Sequence, residues 1–157
     1  MRRFTNISII VTLVSFVMFS FRPAASLPLT PQIEGGLAVI ANPKGAPAEI
    51  AKARLKSLLK GEQQRWKDGT KILLAFMKTS TKIGEDMTTR IFGMTGKDLN
   101  KYFLAQVFQG KMSSPEFFDS EEDLINYVKS KDGAIGVISA KNASGSVVVS
   151  IDGKKSI

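Results

Sequence analysis

The chain has 157 residues, a formal net charge of +8, and neither cysteine nor histidine. Those two absences exclude a disulfide framework, thiolate and HExxH zinc sites, the Ser-His-Asp triad and the Cys-His pair. The length suits one domain large enough to bury a real core, and not two large lobes.

The first segment reads as a targeting signal. Arg2 and Arg3 precede a nearly uninterrupted apolar run from Ile7 to Phe21. Arg22-Pro23-Ala24-Ala25-Ser26 follows, with small residues at Ala24 and Ser26 suited to cleavage after Ser26. The competing reading, an uncleaved membrane anchor, has a run that is short for a bilayer and interrupted by Thr12, Ser15 and Ser20. Taking residues 1–26 as a cleaved signal leaves 19 basic against 14 acidic residues, a net charge of +5. Export argues against nucleic acid as the partner of this basic surface. Anionic lipid, a small anion, or solubility alone accounts for it instead.

Residues 27–36, with Pro28, Pro31 and Gly35-Gly36, read as an extended leader, and residues 37–157 as the folded domain. Leu37-Ala38-Val39-Ile40-Ala41 is the first predicted strand. Asn42-Pro43-Lys44-Gly45-Ala46-Pro47 is a loop, after which a helix is predicted from about Ala48 to Lys60 with Ala51, Leu55, Leu58 and Leu59 inward. Gly61 ends it. Trp66 sits in a polar connection and reads as its core anchor, and Asp68-Gly69 is a turn. Ile72-Leu73-Leu74-Ala75-Phe76 has the length of a buried strand. A strand, helix and strand in this order favour a parallel pair joined by a right-handed crossover.

Lys78-Thr79-Ser80-Thr81-Lys82 then leads into a helix marked by Ile83, Met87 and Ile91 at a spacing of four. Ser80 or Thr81 stands at the N-cap, among unpaired N–H groups at the positive helix end. Those hydroxyls either cap the helix alone or help hold an anion. Thr95-Gly96-Lys97-Asp98 is a capping box opening a helix with Leu99, Tyr102, Phe103 and Val107 on its core stripe. Ser114-Pro115 marks an extended connection, and Ser120 with Asp123 opens a helix carrying Leu124, Ile125 and Val128. The acidic run Glu121-Glu122-Asp123 is thereby explained as helix-start chemistry and not as a catalytic pair. Asp132-Gly133 is a turn before a strand at residues 134–138, and Asn142 to Gly145 turns into a last strand at residues 147–151.

The order of several short runs resembles a known family. These are Leu37 to Asn42, Lys60-Gly61, Trp66-Lys67-Asp68-Gly69, Val107-Phe108-Gln109-Gly110-Lys111, Pro115, Ser120-Glu121-Glu122 and Asp132-Gly133-Ala134-Ile135-Gly136-Val137. Together they resemble short bacterial proteins of the phosphate-binding type, similar to one part of the substrate-binding protein of phosphate ABC transporters. The resemblance implies an α/β fold, a single type II periplasmic-binding-protein-like domain with a mixed sheet flanked by helices, and a periplasmic location. It also implies a phosphate-like anion as ligand; no catalytic residue, no metal and no cofactor are expected. The family's Arg and Ser-Gly-Thr turn at a helix N-terminus matches Lys78-Thr79-Ser80-Thr81 here. Ser80 and Thr81 stand for the hydroxyl donors and Lys78 and Lys82 for the cations.

The site expected from these readings is Lys78, Thr79, Ser80, Thr81 and Lys82, with Asn42 and Lys44 as a second loop, since α/β folds place ligands where strands open into helices. Expected partners are an ABC transporter, a sensor or a second copy of the chain, with no nucleic acid and no membrane anchor once the signal is removed. The alternative of a different class is an interaction or structural module that keeps the fold without the ligand.

Overall fold

The computed structural model describes residues 36–157. The predicted signal peptide, and the leader apart from Gly36, lie outside the described residues. Among the described residues no helix is long and apolar enough to cross a membrane.

Six strands form one mixed sheet: β1 (Leu37–Ala41), β2 (Glu49–Ile50), β3 (Leu73–Met77), β4 (Glu116–Phe118), β5 (Ala134–Ser139) and β6 (Val148–Ile151). Their order across the sheet is β2-β6-β1-β5-β3-β4. The helices are α1 (Lys52–Leu59), α2 (Lys82–Met87), α3 (Gly96–Phe108) and α4 (Glu121–Ser130). A π-helical turn, Thr88–Phe92, continues α2 and ends at Gly93, which takes φ 66°.

Both faces of the sheet are covered, which is why its central strands are continuous apolar runs. Side chains still alternate. Val39, Leu74, Phe76, Ile135 and Val137 face one core with Leu55, Leu58, Met87, Leu99 and Phe103. Ala38, Ile40, Ala75, Met77 and Ile138 face another with Leu124 and Val128 of α4. On the first face Phe76 stacks on Phe103 with centroids 5.6 Å apart, and Phe92 meets both rings edge-on at 6.0 and 5.9 Å. On the second, α4 lies so close to the sheet that a Cβ at Gly136 would stand 2.7 Å from a Leu124 methyl and 3.0 Å from the Ala75 carbonyl oxygen.

The expected parallel pairing of the first strand with the Ile72 strand is corrected. β5 lies between β1 and β3, antiparallel to β1 (Leu37 opposite Ser139, Ala41 opposite Ile135) and parallel to β3 (Leu73 opposite Ala134). β1 and β3 therefore run in opposite directions. The local pattern identifies both strands, but the strand that separates them arrives some sixty residues later in the chain. The predicted helix at Ala48 begins instead at Lys52, because Glu49–Ile50 pairs in parallel with β6 at the sheet edge. The Ser114-Pro115 connection leads into β4, which pairs in parallel with β3.

Trp66 is the anchor its position suggests. It is 3 % exposed, and its indole N–H donates to the Gly133 carbonyl at 2.9 Å. The turn beside it is closed by Asp68, whose carboxylate accepts the Thr70 N–H and hydroxyl, each at 2.9 Å. Trp66→Phe keeps most of the apolar area but leaves the Gly133 carbonyl without that donor. Urea denaturation is expected to show a loss of about 1–3 kcal/mol.

Candidate functional site

The strand directions decide which loops can cooperate. β3 ends at Met77 on the side of the sheet where β5 ends at Ser139 and β1 begins. The Lys78–Lys82 loop is therefore at that end, with Gly36 and the N-terminus of α4. There Glu121 of α4 accepts the Ser139 N–H at 2.5 Å and its hydroxyl at 3.0 Å, and also the Asn142 amide.

Asn42 and Lys44 follow the other end of β1, a strand length away, about 13 Å at ~3.3 Å per residue. Their grouping with the Lys78–Lys82 loop is corrected by the antiparallel run of β1. Asn42 is 4 % exposed, and its amide bonds are all spent within the protein. It donates to the Val128 and Lys129 carbonyls at 3.0 and 3.1 Å, at the C-terminal end of α4, and accepts the Lys44 N–H at 2.9 Å. Lys44 lies 3.4 Å from Asp132, while its carbonyl accepts the Gly133 N–H. This loop is a clasp between β1 and the α4–β5 connection.

The Lys78–Lys82 loop is built by three constraints. The Lys78 N–H donates to the Phe118 carbonyl at 2.9 Å, extending the β3–β4 ladder by one residue. A turn then closes from the Thr81 N–H to the Lys78 carbonyl, also at 2.9 Å. Finally Thr81 caps α2: its hydroxyl accepts the Gly84 N–H at 3.1 Å and donates to the Lys78 carbonyl at 2.8 Å. Thr81 is thus the capping residue of the two candidates, and both its donor and its acceptor functions are committed. Lys82 is exposed in the first turn of α2, where a positive charge is unfavourable against the helix dipole.

Lys78, Thr79 and Ser80 edge a groove of about 560 Å³. Asn100 of α3 completes that edge, its amide donating to the Thr79 hydroxyl at 3.1 Å. Close approach of α3 makes this possible, since a Cβ at Gly96 would stand 2.8 Å from the Thr79 Cβ. The facing wall is apolar, with Phe103, Leu104, Val107 and Phe117. Lys78 is also paired with Asp119, just past the end of β4, with Nζ 2.6 Å from the carboxylate. Ser80 is exposed on the groove edge.

The structure therefore brings together Lys78, Thr79 and Ser80 of the expected residues. Thr81 supports them from below, Lys82 stands outside the groove, and Asn42 and Lys44 are at the opposite end. Asn100 and Asp119 were not foreseen. Asn100 lies one turn before Phe103 and Leu104, and only the packing of α3 against the loop reveals its role. The displaced titrations lie elsewhere. Hydrogen bonds from Thr70 hold the Asp68 carboxyl below its ordinary value, and burial raises Tyr102 and Tyr127, with Glu62 and Glu116 adding to the respective shifts. Among the described residues no group of three or more acidic side chains is placed to hold a metal ion.

No protein-family model and no curated protein sequence matches the chain. Solved structures do. PstS from Borrelia burgdorferi aligns with a TM-score of 0.59 and 19 % identity, over 76 % of this chain and 48 % of that one. An ABC-type phosphate transport receptor from Vibrio cholerae aligns at 0.56 and 14 %, over 78 % and 49 %. A structure from Clostridium perfringens with bound phosphate, assigned as a phosphate ABC transporter substrate-binding protein, aligns at 0.57 and 16 %, over 76 % and 46 %. The chain shares the fold of the aligned part of these structures and spans about half the length of each.

Two substitutions separate the clasp from the groove. Gly84→Ala, which in an unconstrained helix would stabilise by about 0.5–1 kcal/mol, is expected to destabilise by about 1–3 kcal/mol. Its Cβ would overlap the Lys78 carbonyl oxygen. Asn42→Ala is expected to cost about 2–4 kcal/mol by leaving its backbone partners unsatisfied, while the resonances of Thr79 and Ser80 in an amide NMR spectrum stay in place.

Proposed function

We propose that the protein is an exported, non-enzymatic solute-binding-type protein that takes phosphate or a similar small anion at the Lys78-Thr79-Ser80 edge of the groove. One observation carries this reading. A cation, two hydroxyls and the Asn100 amide meet where β3 opens into α2, in a fold shared with phosphate-type solute-binding proteins. In this reading residues 1–26 are the export signal, the compartment is the periplasm, and the protein serves an ABC transporter or a sensor.

The chemistry sets the affinity. Lys78 offers a point charge instead of the bidentate fork of arginine, and Asp119 already faces it. Two or three charge-assisted bonds of about 1.5–3 kcal/mol each, less the costs of ordering, give dissociation constants from millimolar to high micromolar. The pairing of Lys78 with Asp119 and the saturation of Thr81 favour a second reading, in which the protein is a ligand-free interaction module.

Calorimetric titration with phosphate, then sulfate, at low and moderate salt distinguishes the two. Phosphate is expected to bind with a dissociation constant of about 0.1–5 mM. Ser80→Ala should weaken it about tenfold and Lys78→Met should abolish it. Asp119→Asn should tighten it by up to about fivefold, the worth of a partly exposed ion pair. Absence of saturable heat from either anion, with the protein folded, sinks the solute-binding reading.

A further inference from the structure

Among the described residues, three large apolar side chains are exposed, and two of them are neighbours on α3: Leu104, 70 % exposed, and Phe108, 91 % exposed. At 100° per residue, Lys97, Lys101, Leu104 and Phe108 fall within an arc of about 60°. They form a stripe about 17 Å long on the face turned away from Leu99 and Phe103, which are buried. The core does not need this stripe. Leu99 and Phe103 supply the buried contacts of α3, and neither Leu104 nor Phe108 belongs to either hydrophobic core.

We infer that this face of α3 is a docking surface for a partner polypeptide that presents a bulky apolar side chain within an acidic rim. The charge pattern selects the rim. The ion pairs among the described residues are Lys44–Asp132 and Lys78–Asp119, so Lys97 and Lys101 carry exposed positive charge with no acidic partner. The stripe itself contains no acid. Asp98, the one acidic residue of α3, points about 120° away from Leu104 and accepts the Thr95 hydroxyl at 2.7 Å. A second copy docked through this same face would therefore bring lysines and apolar groups to the surface but nothing to pair with the lysines.

The shape selects a polypeptide over an anionic lipid surface. Leu104 belongs both to the exposed stripe and to the wall of the groove beside it, with Phe103, Val107 and Phe117. A projecting aromatic or leucine side chain fills such a concavity, whereas a bilayer surface passes over it. The docked partner would cover the Leu104 side of the groove mouth, so docking and anion entry share one opening.

The test is selection of a displayed library of random dodecapeptides on the immobilised protein, followed by titration of the enriched peptides in synthetic form. Enriched sequences are expected to carry Leu, Phe or Trp flanked by Asp and Glu. Leu104→Glu/Phe108→Glu should weaken their binding at least tenfold, with an unchanged circular dichroism melt. Lys97→Glu/Lys101→Glu should invert the selected flanks from acidic to basic. Four results would overturn the inference: no enrichment, equal binding by the Leu104→Glu/Phe108→Glu protein, phosphatidylglycerol-vesicle binding lost in that variant, or a concentration-dependent dimer lost in it. The last two identify a membrane or a second copy as the occupant. Ser80→Ala should leave peptide selection unchanged, so this inference and the anion-binding reading stand or fall separately.

Discussion

The hydrogen bonding of β5 between β1 and β3 is the constraint on which the remaining structure depends. Every residue from Ala134 to Ser139 is buried, and the strand takes opposite orientations relative to its two neighbours. That arrangement reverses β1 against β3 and so sends the loops that follow them to opposite ends of the sheet. It also fixes α4. With Glu121 held at Ser139 and the last turn held by Asn42, the helix lies along the sheet over Gly136. The two ends of the sheet thus have different work. One is a polar clasp, and the other carries the groove.

Local chemistry was legible wherever the interaction partner lay within a few residues. Thr95 with Asp98 and Ser120 with Asp123 cap α3 and α4 as their spacing suggests, and Thr81 caps α2. The core stripes through Leu55, Leu58 and Leu59 and through Leu99 and Phe103 are likewise buried. The pairing of strands was not legible, because a run such as Leu37–Ala41 specifies an extended, doubly covered segment and carries no record of its neighbour. The same limit explains Asn42. From sequence it is a polar residue after a strand, equally suited to a ligand. Its partners, Val128 and Lys129, lie more than eighty residues away.

Within the Lys78–Lys82 loop, capping and anion recognition draw on the same groups. A hydroxyl at a helix start can accept from the backbone or donate to an anion, and the hydrogen of Thr81 is already given to the Lys78 carbonyl. What remains at the groove is Ser80, the Asn100–Thr79 pair and a lysine shared with Asp119. The resemblance points to this loop as a whole. It could not divide the loop between residues that build it and residues that face the solvent, because that division depends on which way each side chain turns after Met77.

α3 shows how one short element can serve three surfaces. Its 13 residues turn Leu99 and Phe103 to the core, Asn100 and Val107 to the groove, and Leu104 and Phe108 outward. Had the outward face only to be soluble, polar residues of equal helix propensity would serve it better than an almost fully exposed phenylalanine. Leu104 lies at the junction of the groove and outward surfaces, so burial of either surface necessarily alters the surroundings of the other. The open groove and the exposed stripe therefore meet at Leu104, one residue that belongs to both.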